Sequence, residues 1–324
     1  SESGKTVKCN LCDGDRFSLL FEGNIAHDTV DRFSQYAHYG DIYRCDSCGL
    51  VAQKLDHSVE EILENLKNEK YLDEKIGELN LAEKQHHFDM LIRYIREHRQ
   101  LDGARVLDVG ANTGVFLKRV KPLAGEIHGI EPSQEATQLA ERECGAVVQN
   151  TAVADADLQD GSFDVITMWD VVEHLYDPKS DLDFLYSKLK PGGVLFITTH
   201  DVEELFARLT GRHYPMLMYQ HFYHFSKRTL SAMLENAGYR VVGVQYHYKS
   251  WSLAYLHELL SKLWPENFAA RSLGLLLTPF ARLPGLRSLR ITVPIRNFFI
   301  IAAEKPAADT SIKPESAKSQ AVSG

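Results

Sequence analysis

The stretch LDVGANTGVFL, residues 107–117, decides how this chain is read. A short apolar run ends in Asp108, and Gly110, Asn112 and Gly114 carry it into a helical pattern. Glycines at such a turn let backbone approach a ligand without Cβ collisions. In an open parallel sheet, ligands bind beyond the carboxyl ends of the strands, near the point where strand order reverses. The turn after the first strand is therefore the first place to look for a cofactor. A nicotinamide fingerprint would read G-x-G-x-x-G; here the spacing is Gly110-x-x-x-Gly114, which fits that fingerprint poorly.

Outward from this turn the chain alternates strand and helix. ARVLDVG precedes a helix at 114–121, EIHGIE one at 133–144, and FDVITMW one at 179–189, with the short strand AVVQN before FDVITMW and the strand GGVLFITT after the 179–189 helix. Asp177-Pro178 supplies an oxygen cap and then a proline whose missing N–H costs nothing at a helix start. KPGG, 190–193, stops that helix. A further helix at 227–237 ends at Gly238, and the last strands are YRVVGVQYHY and NFFIIAAEK. This alternation predicts a parallel sheet with helices on both faces. Before it, 60–100 reads as helices, with Phe88, Leu91, Ile92 and Ile95 on one face.

The turn resembles the D-x-G-x-G-x-G element of class I S-adenosylmethionine-dependent methyltransferases, with Asn112 in the middle. Asparagine accepts positive φ better than most residues, so the substitution is tolerable. Glu131, ending the second strand in HGIEPS, stands where an acid can accept both ribose hydroxyls. The pairing of GSFDVITMWDVVEHLYDP with LKPGGVLFITT is characteristic of the same superfamily and resembles its small-molecule branch, which includes ubiquinone-pathway and sugar methyltransferases. The resemblance covers roughly 80–245. It implies an α/β, Rossmann-like fold with a seven-stranded, mostly parallel sheet. It implies S-adenosylmethionine as cofactor, held by Asp108 through the methionine end, by Gly110, Asn112 and Gly114, and by Glu131, with Ala152, Asp155 and Trp169 as further contacts.

Four of the five cysteines form two close pairs, Cys9-x-x-Cys12 and Cys45-x-x-Cys48. Each C-x-x-C turn aims two thiolates at one point, and two such turns complete a tetrahedral Zn²⁺ site. Four thiolates leave no open coordination position, so the expected metal is structural. A ribbon followed by a methyltransferase resembles deoxysugar C-methyltransferases and related proteins of surface-glycan clusters. There the N-terminal module helps cover the substrate pocket, a role that would fall here to Phe33, Tyr36, Tyr39 and Tyr43 unless they simply pack the small module. The expected organisation is a zinc-ribbon module at 1–58, a helical linker or cap at 59–102 and the methyltransferase domain at 103–305. A helical insertion at 250–290 and a disordered tail at 306–324 complete it.

Methyl transfer from a sulfonium is an in-line displacement, so the protein aligns the partners and removes a proton where the acceptor needs it. Histidine suits the base, because it titrates near working pH. His221, in QHFYHFS, ranks first because that segment resembles a family element placed over the active site; His200 and His174, at strand ends, follow. Asp170, Glu173 and His174 also resemble the acid-x-x-Glu-His set of some quinone O-methyltransferases, which would leave room for Mg²⁺ and a diol. Glu-His pairs also occur in family members without metal, so Mg²⁺ ranks below a metal-free site.

The formal net charge is −8, and the first 60 residues are acidic in balance. That argues against a nucleic-acid partner, which needs basic phosphate contacts. The leading expectation is a cytoplasmic methyltransferase acting on a small-molecule acceptor, a sugar, a glycan or a natural-product intermediate. Its rivals are an RNA or protein methyltransferase with the ribbon as reader, and a non-catalytic cofactor-binding module. SESGKTVK is polar and predicts no secretory signal, and no apolar run is long enough to span a bilayer. The 250–290 stretch, with LHELLSKLW and Arg271, Arg282, Arg287 and Arg290, reads as a lid, a dimer face or a peripheral contact at the inner membrane, or as helices packed on the sheet edge.

Overall fold

The computed structural model describes residues 8–24, 39–54, 74–248, 250–257, 268–283, 285–286, 288–292 and 296–307. Among the described residues, three short strands come first, β1 (Phe17–Phe21), β2 (Asp41–Cys45) and β3 (Val51–Lys54), paired antiparallel in that order. Helix α1 (Glu74–His98) follows, then β4 (Arg105–Val109), α2 (Val115–Val120), β5 (Glu126–Ile130), α3 (Gln134–Cys144) and β6 (Val147–Gln149). The second half runs β7 (Phe163–Trp169), α4 (Pro178–Lys188), β8 (Leu189–His200), α5 (Leu205–Thr210), β9 (Tyr223–His224), α6 (Lys227–Asn236) and β10 (Arg240–His247). It closes with β11 (Ser250–Ser252), α7 (Phe268–Arg282), β12 (Arg290–Thr292) and β13 (Phe298–Glu304).

Seven strands form the central sheet in the order β10-β13-β8-β7-β4-β5-β6. Pairs β4/β5, β4/β7, β5/β6 and β7/β8 are parallel, and β13 runs antiparallel to both its neighbours. The order turns back at β4: the chain first adds β5 and β6 on one side, then β7 and β8 on the other. A crevice opens at such a switch point. This is the seven-stranded, mostly parallel sheet that the family resemblance implies.

Local sequence explains the helix starts. Ser133 accepts from the Ala136 amide and Asp177 from the Ser180 amide, with Pro178 in the first turn of α4. Ser226 and Thr229 form a reciprocal capping box for α6. Two positions differ from the sequence reading: KPGG lies inside β8, which begins at Leu189, and α4 starts at Pro178. The apolar face read on α1 is real. Leu91, Ile92 and Ile95 are buried against α2 and the sheet, and Phe88 meets Phe116 edge-on.

The N-terminal strands do not stand apart. β3 pairs with β9, so the small sheet takes its fourth strand from the second half of the chain. Tyr39, Ile42 and Val51 share a core with Ala207, Tyr214 and Leu217, while Cys9, Leu11, Cys45 and Leu50 belong to the core under β7 and β8. Tyr39 is buried and donates to the Arg212 carbonyl, and Tyr43 donates to Asp41; neither lines the crevice at the switch point. Phe33 and Tyr36 lie outside the described residues.

The insertion is bracketed by a two-stranded ribbon, β11 with β12. Leu275, Leu276 and Phe280 on α7 are exposed, at 72%, 68% and 49%. Among the described residues, no helix is long and apolar enough to cross a membrane. Arg290, one of the arginines read as free for headgroups, is instead bound to the Glu83 carboxylate and the Ser250 carbonyl. The Arg271, Arg282 and Arg287 side chains and most of LHELLSKLW lie outside the described residues, as does the tail from 308.

Gly114 takes φ +76, and a Cβ there would sit 2.9 Å from the Cα and Cβ of Ala140 on α3. Gly114→Ala should therefore lose about 2–4 kcal/mol of stability, through left-handed strain and overpacking together. Urea unfolding followed by circular dichroism measures it; a loss below about 0.5 kcal/mol would contradict this packing.

Candidate active site

A cavity of about 500 Å³ opens at the switch point, a size typical of small-molecule sites. The ends of β4, β5 and β7 supply Asp108, Gly110, Asn112, Glu131, Trp169 and Asp170. Helix α1 supplies Glu83, Lys84, His86, His87 and Phe88, and the start of the insertion supplies Ser250, Trp251 and Tyr255.

The turn after β4 owes its shape to three left-handed residues, Gly110 at φ +72, Asn112 at +48 and Gly114 at +76. At Gly110 a Cβ would fall 2.5 Å from Val171 Cγ2. Asn112 holds its conformation with its own side chain, whose oxygen accepts from the Thr113 amide at 2.7 Å. Its amide donates to Glu131 Oε2 at 2.8 Å, and the Ser133 amide donates to Glu131 Oε1 at 2.9 Å. The carboxylate at the end of β5 thus fixes the turn after β4.

Asp108 is almost wholly buried and accepts from the Thr167 hydroxyl at 2.7 Å. Burial pushes its carboxyl up to about 8; the Thr167 hydrogen bond works against this and the Glu131 charge adds to it. Without a cation beside it, Asp108 keeps its proton at neutral pH. With a ligand ammonium in the cavity, it becomes the counter-charge.

Behind β7, Asp170 takes φ +53 and is pinned by Thr198, whose hydroxyl accepts from the Asp170 amide and donates to its carboxylate. A left-handed non-glycine residue facing a cavity is strain held in place by its surroundings. His174 lies one turn on, with Nδ1 2.9 Å from the Gln220 carbonyl. A carbonyl only accepts, so Nδ1 carries the proton and Nε2 keeps a lone pair. Trp169 packs edge-on against Phe116, 5.3 Å between centroids, and its Nε1 has no hydrogen-bond partner.

The sequence candidates separate here. Asp108, Gly110, Asn112, Glu131, Trp169 and His174 line the cavity. Gly114 does not; its missing side chain makes room for α3. Ala152 and Asp155 lie outside the lining, because the short turn Val153–Asp155 buries Val153 and leaves Asp155 exposed. His221, ranked first as base, and His200 lie elsewhere. They are buried at 5% and 0%, behind His174 and outside the lining. The Asp170–Glu173–His174 set is also redistributed, since Glu173 turns away from the cavity, 3.7 Å from His200 Nδ1, and groups with His174 and His221. Sequence reasoning missed the α1 wall. Nothing marks it except the adjacent His86 and His87, placed one turn before the buried Leu91 and Ile92.

Beside the start of α4, the sulfurs of Cys9, Cys12, Cys45 and Cys48 all lie within 4.8 Å of one another. Cys9 and Cys48 sulfurs are 3.5 Å apart, and those of Cys12 and Cys45 are 3.6 Å apart. Burial pushes Cys9 and Cys48 up. At Cys45, burial is outweighed by the Cys48 and Ser47 amides and the neighbouring thiols, which bring it down to about 7. Asn10 pins the first turn to Asp177 and Lys179, and Arg228 holds the Cys48 carbonyl.

Fold order, turn and acid together define a class I methyltransferase architecture. A family model described as a methyltransferase domain matches residues 54–244, and the chain belongs to the class I S-adenosylmethionine-dependent methyltransferase family. Among curated proteins, it is 32% identical over 114 residues to the ubiquinone biosynthesis O-methyltransferase of Paraburkholderia phymatum, covering 33% of this chain and 49% of that protein. It is 30% identical over 179 residues to the protein of that name from Pseudomonas putida, covering 49% of this chain and 77% of that one. The chain spans about half the length of most of the curated relatives it matches, as the 49% shows. A solved phosphoethanolamine N-methyltransferase 2 of Haemonchus contortus in complex with S-adenosyl-L-methionine superposes with TM-score 0.48 at 15% identity, covering 83% of this chain and 65% of that one.

The Asp108 shift has a direction in pH. The folded carboxyl titrates near 8 and the free one near 3.8. Between those values the folded state holds a proton that the unfolded state has lost, so unliganded stability falls as pH rises through this window and levels off above it. Asp108→Asn should remove that decline, worth a few kcal/mol. Urea unfolding of both proteins at about pH 5, 7 and 9 checks this; equal slopes would remove Asp108 as the source.

Proposed function

We propose that the chain transfers a methyl group from S-adenosylmethionine to a hydroxyl of a small, ring-bearing acceptor. One observation carries the reading: a single cavity holds Glu131, fixed at the end of β5, and His174, fixed after β7 with an available Nε2. When bound, S-adenosylmethionine supplies a methyl group already activated on a sulfonium. Glu131 accepts from the ribose hydroxyls, and Asp108 answers the ammonium of the methionine end. His174 Nε2 takes the acceptor proton as the oxygen attacks. Phe88, Trp251 and Tyr255 wall the remaining space with rings that exclude water and stack on a cyclic acceptor.

The similarity to ubiquinone biosynthesis O-methyltransferases supports oxygen as the accepting atom. Sugar and glycan acceptors remain within the proposal on the ribbon–methyltransferase resemblance. We assign Zn²⁺ to Cys9, Cys12, Cys45 and Cys48. A ZnS₄ tetrahedron with bonds of about 2.3 Å has edges of about 3.8 Å, close to the 3.5 and 3.6 Å sulfur contacts. The metal would fasten two loops and leave no position for substrate.

Calorimetry with S-adenosylmethionine tests the reading. The wild-type protein should bind it, and Glu131→Ala should weaken binding at least tenfold, as expected for losing a charge-assisted bidentate contact. Unchanged affinity removes the pocket assignment.

His174→Gln should retain cofactor affinity within about threefold while lowering kcat by about 10²–10⁴ on whichever hydroxylated acceptor, quinol or sugar, the wild type turns over. Undiminished kcat would exclude His174 as the base.

A further inference from the structure

Behind His174 lies a group of side chains that the methyl-transfer reading leaves without a task. His200 ends β8, His224 lies in β9, and His221 sits in the loop just before it; all three are buried. One ring nitrogen from each lies within 4.8 Å of the others. His200 Nε2 and His224 Nδ1 are 3.0 Å apart, and the His200 and His221 rings stack at 5.1 Å with planes 19° apart.

Three imidazoles in a protein interior need a reason. A buried polar atom without a partner costs about 1–3 kcal/mol. His200 Nδ1, His224 Nε2 and Glu173 Oε2 are buried without a hydrogen-bond partner. A hydrogen bond between His200 and His224 satisfies only one nitrogen of each ring.

The rings are also aimed. His221 Nδ1 is 2.8 Å from the Met216 carbonyl, so it carries the proton and leaves the Nε2 lone pair unused. His200 Nδ1 lies on the Glu173 side, 3.7 Å from Oε1, and Nε2 lies on the His224 side. A carbonyl or carboxylate behind the far nitrogen is what orients histidines that ligate metals.

We propose that His200, His221 and His224 form a site for a divalent transition-metal ion, with Glu173 orienting His200. Three neutral imidazoles select Zn²⁺ or a first-row neighbour over Mg²⁺ or Ca²⁺. The ion would tie β8 of the large sheet to β9 of the small one. It would also fix the 216–221 segment, whose Gln220 carbonyl orients His174. Its task is positioning, since the ligands lie outside the cavity lining. The inference rests on side-chain geometry and stands apart from the methyl-transfer reading.

The test is a Co²⁺ titration of the tag-free, full-length protein, stripped with a chelator and kept reduced. Thiolate-bound Co²⁺ gives strong near-ultraviolet charge-transfer bands; imidazole-bound Co²⁺ gives visible d–d bands without them. Wild type should bind about two equivalents, one of each spectral kind. His200→Asn and His224→Asn should each bind about one, with the charge-transfer bands kept. Zn²⁺ should raise the wild-type unfolding midpoint above that of either variant. A wild-type spectrum of thiolate type alone, saturating at about one equivalent, overturns the proposal, and needs no variant to fold. Loss of the charge-transfer bands alone would instead overturn zinc at the cysteines, and cofactor calorimetry judges the methyl-transfer reading separately.

Discussion

The site depends on one carboxylate. Glu131 is buried, and both its oxygens accept backbone amides, one from Asn112 after β4 and one from Ser133 at the cap of α3. A charge in the interior survives only when hydrogen bonds replace its lost water. Those bonds tie two crossover turns at a fixed separation across the switch point of the sheet. The same charge lies close enough to Asp108 to help raise its carboxyl. Two acids, one bonded at both oxygens, the other raised by burial, are therefore set side by side before any ligand enters.

Around this pair the molecule is built as one body. The four-cysteine turns contribute Cys9, Leu11, Cys45 and Leu50 to the core that underlies β7 and β8, and the small sheet borrows β9. The loop between α5 and β9 packs on the small sheet through Tyr214 and Leu217, and presents Gln220 to His174. The N-terminal strands thus reach the cavity only indirectly, through the segment whose Gln220 carbonyl meets His174. The short α2 helix, α1 and the insertion close the remaining sides, with Phe88, Phe116 and Trp169 in edge-on contact from different elements.

Much of this was legible one residue at a time. Helix caps at Ser133, Asp177 and Ser226 are local hydrogen-bond chemistry and show in sequence as polar residues before helical patterns. Positive φ at Gly110 and Gly114 follows from residue type, and Asn112 is the residue besides glycine best able to share it. The role of Gly114 was not legible, because only the approach of Ala140 shows that its missing side chain serves packing. Asp170 gives no sequence sign that it adopts φ +53, which Thr198, 28 positions away, holds in place.

The sequence by itself determined the strand–helix alternation, the acids at two strand ends and the pairing of cysteines, because each follows from periodicity or from short-range spacing. Tertiary structure alone decided which of the four histidines beyond β7 and β8 meets the cavity. His174, His200, His221 and His224 look interchangeable as letters, but burial separates one that lines the cavity from three packed behind it. It also decided that α1 is a wall and that the cysteine module shares its sheet with β9. Both arise from contacts between segments far apart in the chain, and local pattern does not encode them.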